Sequence, residues 1–401
     1  MVQAWISHRS PADEQTHDIT IRRVEALLPG RPGLLDIVAE VDGRLAHVVA
    51  GLRSVGDEPH FLRSGDELAL GLWEDGDGLA VCTDALHDAQ LVPLLLATLR
   101  QVEPRGGRIA IVRDDEDAIV LDCGDRGDLT VFPWLLDRPD PAVDLMMALE
   151  RMGFNHVAAP LVRWVWEDLD LGLVQEPLED RSSGWALALT SLRDLYASGG
   201  MPEAAGGDFG AEAHALGTMM ARMHLAIDRA FGRVPESVAD WAEMAETEIA
   251  DVDVAQLDAP GVADLIKALR RSDMRLAAIR THGDFHLGRI SRTDQGWVVS
   301  DFRPGGVLPG MFEPVARSPL ADVADLLWSL HQAGIAAAAE RDPNGRLGLA
   351  ELGQAWENRN RRAVLSGYLG TPGIAGLVGP QRELILNLVG LFELTRSVRP
   401  S

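Results

Sequence analysis

The segment Thr281-His282-Gly283-Asp284-Phe285-His286-Leu287-Gly288-Arg289 leads through a turn at Thr293 to Gly296 into Trp297-Val298-Val299-Ser300-Asp301-Phe302. Two aspartates therefore stand at opposite ends of a short hairpin. That pairing suits phosphoryl transfer to an alcohol: one carboxylate orients the hydroxyl and takes its proton, while another holds the magnesium ion that bridges nucleotide phosphates. Asp284 is the candidate base and Asp301 the candidate metal ligand. A bare His-Gly-Asp reads as an ordinary turn, and it is the second strand with its terminal Asp-Phe that argues for chemistry.

The elements that must position this hairpin are legible from Gly107 onward. Arg108 to Val112, Ala118 to Asp122 and Leu129 to Leu135 are apolar, β-prone runs parted by charged or glycine-containing turns, which predicts three consecutive antiparallel strands. A Pro-Asp-Pro signal at Pro139 to Pro141 opens a helix that buries Val143, Met146, Met147 and Leu149 and ends at Gly153. Strands at Leu161 to Trp166 and Leu171 to Glu176 follow, and the alternating Trp164 and Trp166 are expected to pack on the preceding domain. Beyond Ser182 the pattern is helical, with Trp185 to Tyr196 and Ala211 to Phe231 separated by the loop Ser198 to Gly207. Before Gln101 a separate unit has strand-like runs at Leu35 to Val41 and Leu45 to Ala50 and a helix from Asp88 to Arg100.

Composition narrows the class of partner. The formal net charge of −24 repels polyanions, which excludes nucleic acid and acidic membrane surfaces and favours small ligands. Two cysteines, Cys82 and Cys123, cannot make a disulfide framework or a cysteine metal cluster. Met1 to Asp13 has no apolar core behind a basic flank, and the longest apolar run, Leu91 to Leu99, is too short for a bilayer. The expectation is a cytoplasmic protein. Of the 37 basic residues all but Lys267 are arginine.

Beyond the hairpin, several segments resemble the maltokinase-like branch of the aminoglycoside-phosphotransferase and choline-kinase superfamily. They are Gly184-Trp185-Ala186-Leu187-Ala188-Leu189-Thr190-Ser191-Leu192-Arg193-Asp194-Leu195-Tyr196, Asp208-Phe209 with Glu212-Ala213-His214, Met223-His224-Leu225-Ala226, Ser318-Pro319-Leu320-Ala321-Asp322-Val323-Ala324, and Trp356-Glu357-Asn358-Arg359. The likeness covers about Ala85 to Leu369. It implies an α+β, two-lobed, eukaryotic-kinase-like fold: a cap domain over residues 1–101, a small antiparallel-sheet lobe over 102–180 and a helical lobe over 181–401. It also implies ATP as phosphoryl donor with Mg²⁺, the adenine against Val174, Gln175, Glu176 and Pro177, and a sugar acceptor in the helical lobe near Asp284. His286 falls where protein kinases place a phosphate-contacting lysine, and is a candidate for phosphate or metal contact. Asp322 is expected to tie the catalytic loop down through backbone amides, and His224 to be a hydrogen-bonded core histidine.

Three positions depart from the family pattern. Thr130 stands at the position of the phosphate-clamping lysine, with Asp144 where its helix glutamate partner would be, so a cationic clamp here must be an arginine. The turn Arg113-Asp114-Asp115-Glu116-Asp117 sets four carboxylates where nucleotide-cradling glycines would lie, at about 1 kcal/mol of repulsion per close pair in water. Arg289 replaces a metal-binding asparagine or glutamine and has no lone pair to donate, which leaves it to contact phosphate or to point to solvent. The hairpin continues Arg303-Pro304-Gly305-Gly306, where maltokinases read Glu-Gly-Glu-Pro.

These departures point to an altered acceptor and favour the likeness to actinobacterial glucosamine kinases, which implies phosphorylation of glucosamine to glucosamine 6-phosphate. A protonated sugar amine needs a carboxylate beside an aromatic wall. Trp356 and Glu357, with Gln354, Asn358 and Arg361 near one face of a helix from Leu352 to Gly367, are the candidates. The alternatives are a maltokinase that makes maltose 1-phosphate, and a degenerate kinase that binds a sugar or partner without turnover.

Overall fold

The computed structural model describes residues 1–9, 16–55, 69–76, 78–105, 107–178, 181–203, 208–252, 260–302, 315–343 and 348–399. The segment Arg303-Pro304-Gly305-Gly306 and part of the loop from Ser198 to Gly207 lie outside them. Of the described residues, one compact unit takes those in Met1–Asp144 and Ala158–Glu179, and a second takes those in Leu145–Val157, Asp180–Gly306 and Glu313–Ser401. Among the described residues no helix is long and apolar enough to cross a membrane.

The first unit contains helix α1 (Val2–Arg9), strands β1 (Ile19–Leu28), β2 (Gly33–Val41), β3 (Arg44–Ser54), β4 (Ala69–Asp75) and β5 (Gly78–Asp84), and helix α2 (Val92–Arg100). It continues with β6 (Ala110–Asp114), β7 (Ile119–Asp122), β8 (Asp128–Val131), β9 (Trp134–Leu135), β10 (Pro160–Trp166) and β11 (Leu169–Gln175), while helix α3 (Pro141–Arg151) runs on into the second unit. One sheet has the order β1-β2-β3-β5-β4 with β9 added to β3, and the other the order β10-β11-β8-β7-β6, every pair antiparallel. Because side chains alternate along a strand, Leu35, Ile37, Ala39 and Val41 share a face with Ala46, Val48, Ala50 and Leu52, and Trp5 and Ile6 of α1 close that core. The opposite face carries the buried Asp36, held by His47 at 2.9 Å and Arg23 at 2.7 Å.

The expected single strand Leu129 to Leu135 is in fact two. Pro133 has no N–H to give a ladder and interrupts it. Before it β8 pairs with β7 and β11; after it Leu135 and Trp134 pair with Leu45 and Ala46 of β3, and the Pro133 carbonyl accepts the His47 amide at 2.9 Å. Trp164 packs as expected, its ring edge-on to His47 at 4.9 Å.

In the second unit the helices are α4 (Gly184–Ser198), α5 (Gly210–Phe231), α6 (Val238–Val252), α7 (Val262–Arg270), α8 (Leu320–Arg341), α9 (Ala350–Leu369), α10 (Ala375–Val378) and α11 (Arg382–Val398). Two small antiparallel sheets accompany them: β12 (Ser182–Ser183), β15 (Ile290–Thr293) and β16 (Gly296–Val299) form one, and β13 (Val234–Ser237), β14 (Arg275–Arg280) and β17 (Ala316–Arg317) the other. Helices α5 and α9 approach so closely that a Cβ on Gly217 would collide with the Val364 carbonyl, and one on Gly367 with the His214 carbonyl. Gly217→Ala is therefore expected to cost about 1–3 kcal/mol by overpacking. Urea denaturation checks this, and an unchanged midpoint would mean that the two helices can separate freely.

Candidate active site

The expected hairpin forms, β15 pairing with β16 from Ile290 opposite Val299 to Thr293 opposite Gly296. Its preceding loop is fastened from below by Asp322, at the start of α8, which is wholly buried. One Asp322 oxygen accepts the Gly283 amide at 2.9 Å; the other accepts the His282 amide at 2.9 Å and lies 3.0 Å from His224 Nε2. His224 Nδ1 meets the Tyr368 hydroxyl at 2.9 Å. The expected roles of Asp322 and His224 are thus what the structure presents. Burial alone would raise the Asp322 pKa, but His224 and the loop amides outweigh it and hold the group ionised, below the usual carboxylate range.

His282, which sequence reasoning left without a role, ties the two ends of the hairpin together. Its Nδ1 accepts the Asp284 amide at 3.3 Å and its Nε2 donates to the Asp301 carbonyl at 2.7 Å, between the rings of Phe285 and Phe302. Burial pushes its pKa down, which keeps the imidazole in that neutral tautomer. Gly283, with φ +86°, sits in a left-handed conformation that glycine adopts without strain, and this turns the chain so that Asp284 follows.

Arg289 neither points to solvent nor lies free for a phosphate. One terminal nitrogen donates to Asp284 Oδ2 at 3.1 Å and the other to Asp301 Oδ2, so a single guanidinium spans both carboxylates. His286 accepts the Gly288 amide on Nδ1 at 3.1 Å and places Nε2 3.6 Å from Asp284 Oδ2. With Nδ1 accepting, Nε2 carries the proton. The ring therefore offers the site a donor and no lone pair, which corrects the expectation of His286 as a metal ligand. Among the described residues no three His, Cys, Asp or Glu side chains cluster as a metal cage. Mg²⁺ needs only one or two carboxylates once nucleotide phosphates and waters complete its shell, so Asp301 fits the ion as a single protein ligand.

The expected acceptor residues are placed otherwise. Trp356 is 1% exposed, its indole donating to Ser191 Oγ at 2.9 Å and its ring 5.8 Å from Phe209, which in turn meets Trp297 of the hairpin at 6.2 Å. It is a core residue that supports the hairpin, and it has no free face for a sugar. Glu357 is occupied by His331 at 2.8 Å, with Arg361 at 3.7 Å. Arg361 itself is held by Glu393, and Gln354 is exposed and bonded to Asn358 at 3.4 Å. Arg359 grips Asp208 with two nitrogens and so joins two of the segments that carry the resemblance.

The expected nucleotide residues belong to the first unit. Thr130 on β8 faces Leu173, and Val174 is fully buried opposite Leu129. The Glu176 amide is spent on the Ala159 carbonyl at 2.8 Å and Pro177 has none, so neither supplies a free amide to a base. Asp144 lies in the field of Arg163, whose guanidinium is bonded to Asp170. The acidic turn carries its own counter-charges, which the sequence did not reveal: Arg9 and His87 pair with Asp114 at 2.9 and 2.7 Å, and Arg113 binds Asp115 and Asp117. His87 is raised to about 9, by Asp84 foremost, and so is a cation at neutral pH.

Sequence reasoning also missed a cavity of about 350 Å³ in the second unit, bounded by Thr281 and Gly283 of the loop before β15 and by Trp241, Glu248, Asp325 and Phe392. Its walls come from segments far apart in the chain, and no motif announces it.

No protein-family model matches the chain. It is 31% identical over 359 residues to a glucosamine kinase of Streptacidiphilus jiangxiensis, an alignment spanning 78% of this chain and 75% of that protein. It is 26% identical over 256 residues to a glucosamine kinase of Mycolicibacterium smegmatis, spanning 58% and 60%. A solved glucosamine kinase in complex with glucosamine, ADP and inorganic phosphate superposes with a TM-score of 0.69 at 22% identity, covering 98% of this chain and 91% of the other. The expected α+β kinase-like fold, with an antiparallel-sheet lobe and a helical lobe, is what this likeness shows. On the extent and identity of the first match, the chain belongs to the glucosamine kinase family.

Proposed function

We propose that the chain transfers the terminal phosphoryl group of ATP to the primary hydroxyl of glucosamine, yielding glucosamine 6-phosphate and ADP. The observation that carries this reading is the single guanidinium joining Asp284 and Asp301, which holds a proton acceptor and a metal-binding carboxylate side by side at the mouth of one loop. The acceptor hydroxyl attacks the terminal phosphorus, the bond to the bridging oxygen of ADP breaks, and the hydroxyl proton passes to Asp284. Asp301 would hold Mg²⁺, which when bound offsets the charge of the nucleotide phosphates. Arg289 then sets a cation against both the base and the metal-binding carboxylate, and His286 presents an N–H beside the base. Lys267 is the only lysine in the chain and lies on α7, so the fixed positive charge of this loop is the Arg289 guanidinium.

Release of ADP, followed by a coupled assay with glucosamine, glucose and maltose in turn, tests the proposal. Turnover is expected to be fastest with glucosamine. Maltose as the best acceptor would make the chain a maltokinase, and equal inactivity with all three would overturn the assignment.

A further inference from the structure

Phosphoryl transfer is commonly assisted by two Mg²⁺ ions, one on an aspartate placed like Asp301 and one shared with a side-chain oxygen of the catalytic loop. Position 289, where that oxygen would stand, holds a guanidinium, which has N–H donors, no lone pair and a permanent charge. Its placement is built in. The Arg289 amide donates to the His286 carbonyl at 2.9 Å and the Arg289 carbonyl accepts the Ser300 amide at 2.8 Å, so the backbone is pinned at both ends of the hairpin. From there Nη2 donates to Asp284 Oδ2 at 3.1 Å and Nη1 to Asp301 Oδ2. The Arg289 side chain is only 14% exposed, so this is not a contact that solvent screens away. Nothing else in the loop offers a replacement ligand. His286 turns an N–H toward Asp284, His282 spends both nitrogens on the backbone, and among the described residues no third His, Cys, Asp or Glu gathers with the two acids.

We propose that Arg289 takes the place of a second metal ion, so that the protein works with a single Mg²⁺ on Asp301. The inference rests on the phosphotransfer reading above and adds to it the number of ions. Arg289 excludes a second ion in two ways: it supplies no ligand, and its charge repels a divalent cation from the space between the two acids. It uses only Oδ2 of Asp301, and a first Mg²⁺ needs a single carboxylate oxygen there once phosphates and waters complete its shell. The two acids and the guanidinium together carry one negative charge, which one divalent ion reverses. A cation that belongs to the chain is present at any concentration of metal. The rate should therefore follow the Mg²⁺–ATP complex and not the free Mg²⁺ above it.

The test counts ions with Mn²⁺ as the probe. The full chain, in excess over a non-hydrolysable ATP analogue, is titrated with Mn²⁺ and the free ion is read by electron paramagnetic resonance; glucosamine turnover is measured in parallel at fixed Mg²⁺–ATP and rising free Mg²⁺. The wild type is expected to bind one Mn²⁺ per nucleotide and to ignore free Mg²⁺. Arg289→Asn and Arg289→Gln each put a side-chain oxygen in place of the cation. Both are expected to bind a second Mn²⁺, to turn over about 10²- to 10³-fold more slowly without excess metal, and to regain part of that rate as free Mg²⁺ rises. Two ions per nucleotide on a wild type that phosphorylates glucosamine would overturn the inference and leave the kinase reading intact. Folded variants that still bind one ion would do the same, and the wild-type count decides by itself should a variant fail to fold. A wild type that binds no Mn²⁺ with the nucleotide and turns over no acceptor would overturn the kinase reading, and the inference with it.

Discussion

Asp284→Asn should lower kcat by about 10²- to 10⁴-fold with little change in melting temperature. The amide keeps the size of the carboxylate but cannot accept the hydroxyl proton. The structure explains why the fold should tolerate the change: the Asp284 backbone is held through His282, and Arg289 keeps its bond to Asp301 after one partner is lost. Binding of ATP, followed by fluorescence or calorimetry, should persist, because the removed charge opposes the phosphates. A variant that turns over at near-normal rate would remove Asp284 from the mechanism and leave the hairpin as scaffolding.

Asp322→Ala should damage both stability and rate. It leaves two loop amides and His224 buried without their acceptor, a loss of about 3–5 kcal/mol. At roughly 2–4 °C per kcal/mol, melting should fall by about 10 °C. Turnover should also drop, because the amide of Gly283 next to the base is no longer anchored. The wild-type contribution also has a defined dependence on pH. The folded pKa is depressed, so the stabilisation is complete above the unfolded value of about 3.9 and disappears as pH falls through the lower folded value. Neutral assays therefore read its full effect, and a melting temperature unchanged at pH 7 would show that the loop stands without this anchor.

The parts of this architecture that follow from local chemistry were readable in the chain. Strand alternation, the Pro139 to Pro141 helix start and the aspartate-ended hairpin each depend on residues close in sequence. Asp322 was also legible, since an acid in the first turn of a helix after Ser318-Pro319 has few roles besides binding amides. What could not be read depends on distant segments meeting. Trp356 has helical neighbours that suit a pocket wall, but Phe209 and Ser191 arrive from elsewhere to bury it. Arg289 looks like a lost metal ligand until the short 3₁₀ turn at Leu287–Arg289 swings it between two acids. Asp325 sits three residues beyond Asp322 among the apolar residues of the first turns of α8, and only α6 and α11 reveal that it faces a cavity. Pro133 is the one feature whose signal was available and was passed over.

The strand that Pro133 divides gives the first unit a mechanical property. Four residues of β8 belong to one sheet and two residues of β9 to the other, with no slack between them. Pulling either sheet apart must tug on its neighbour, so the pair should melt as one body: hydrogen exchange of the backbone amides of β2 and β3 in one sheet and of β8 and β11 in the other should lose protection in a single transition and not in two steps.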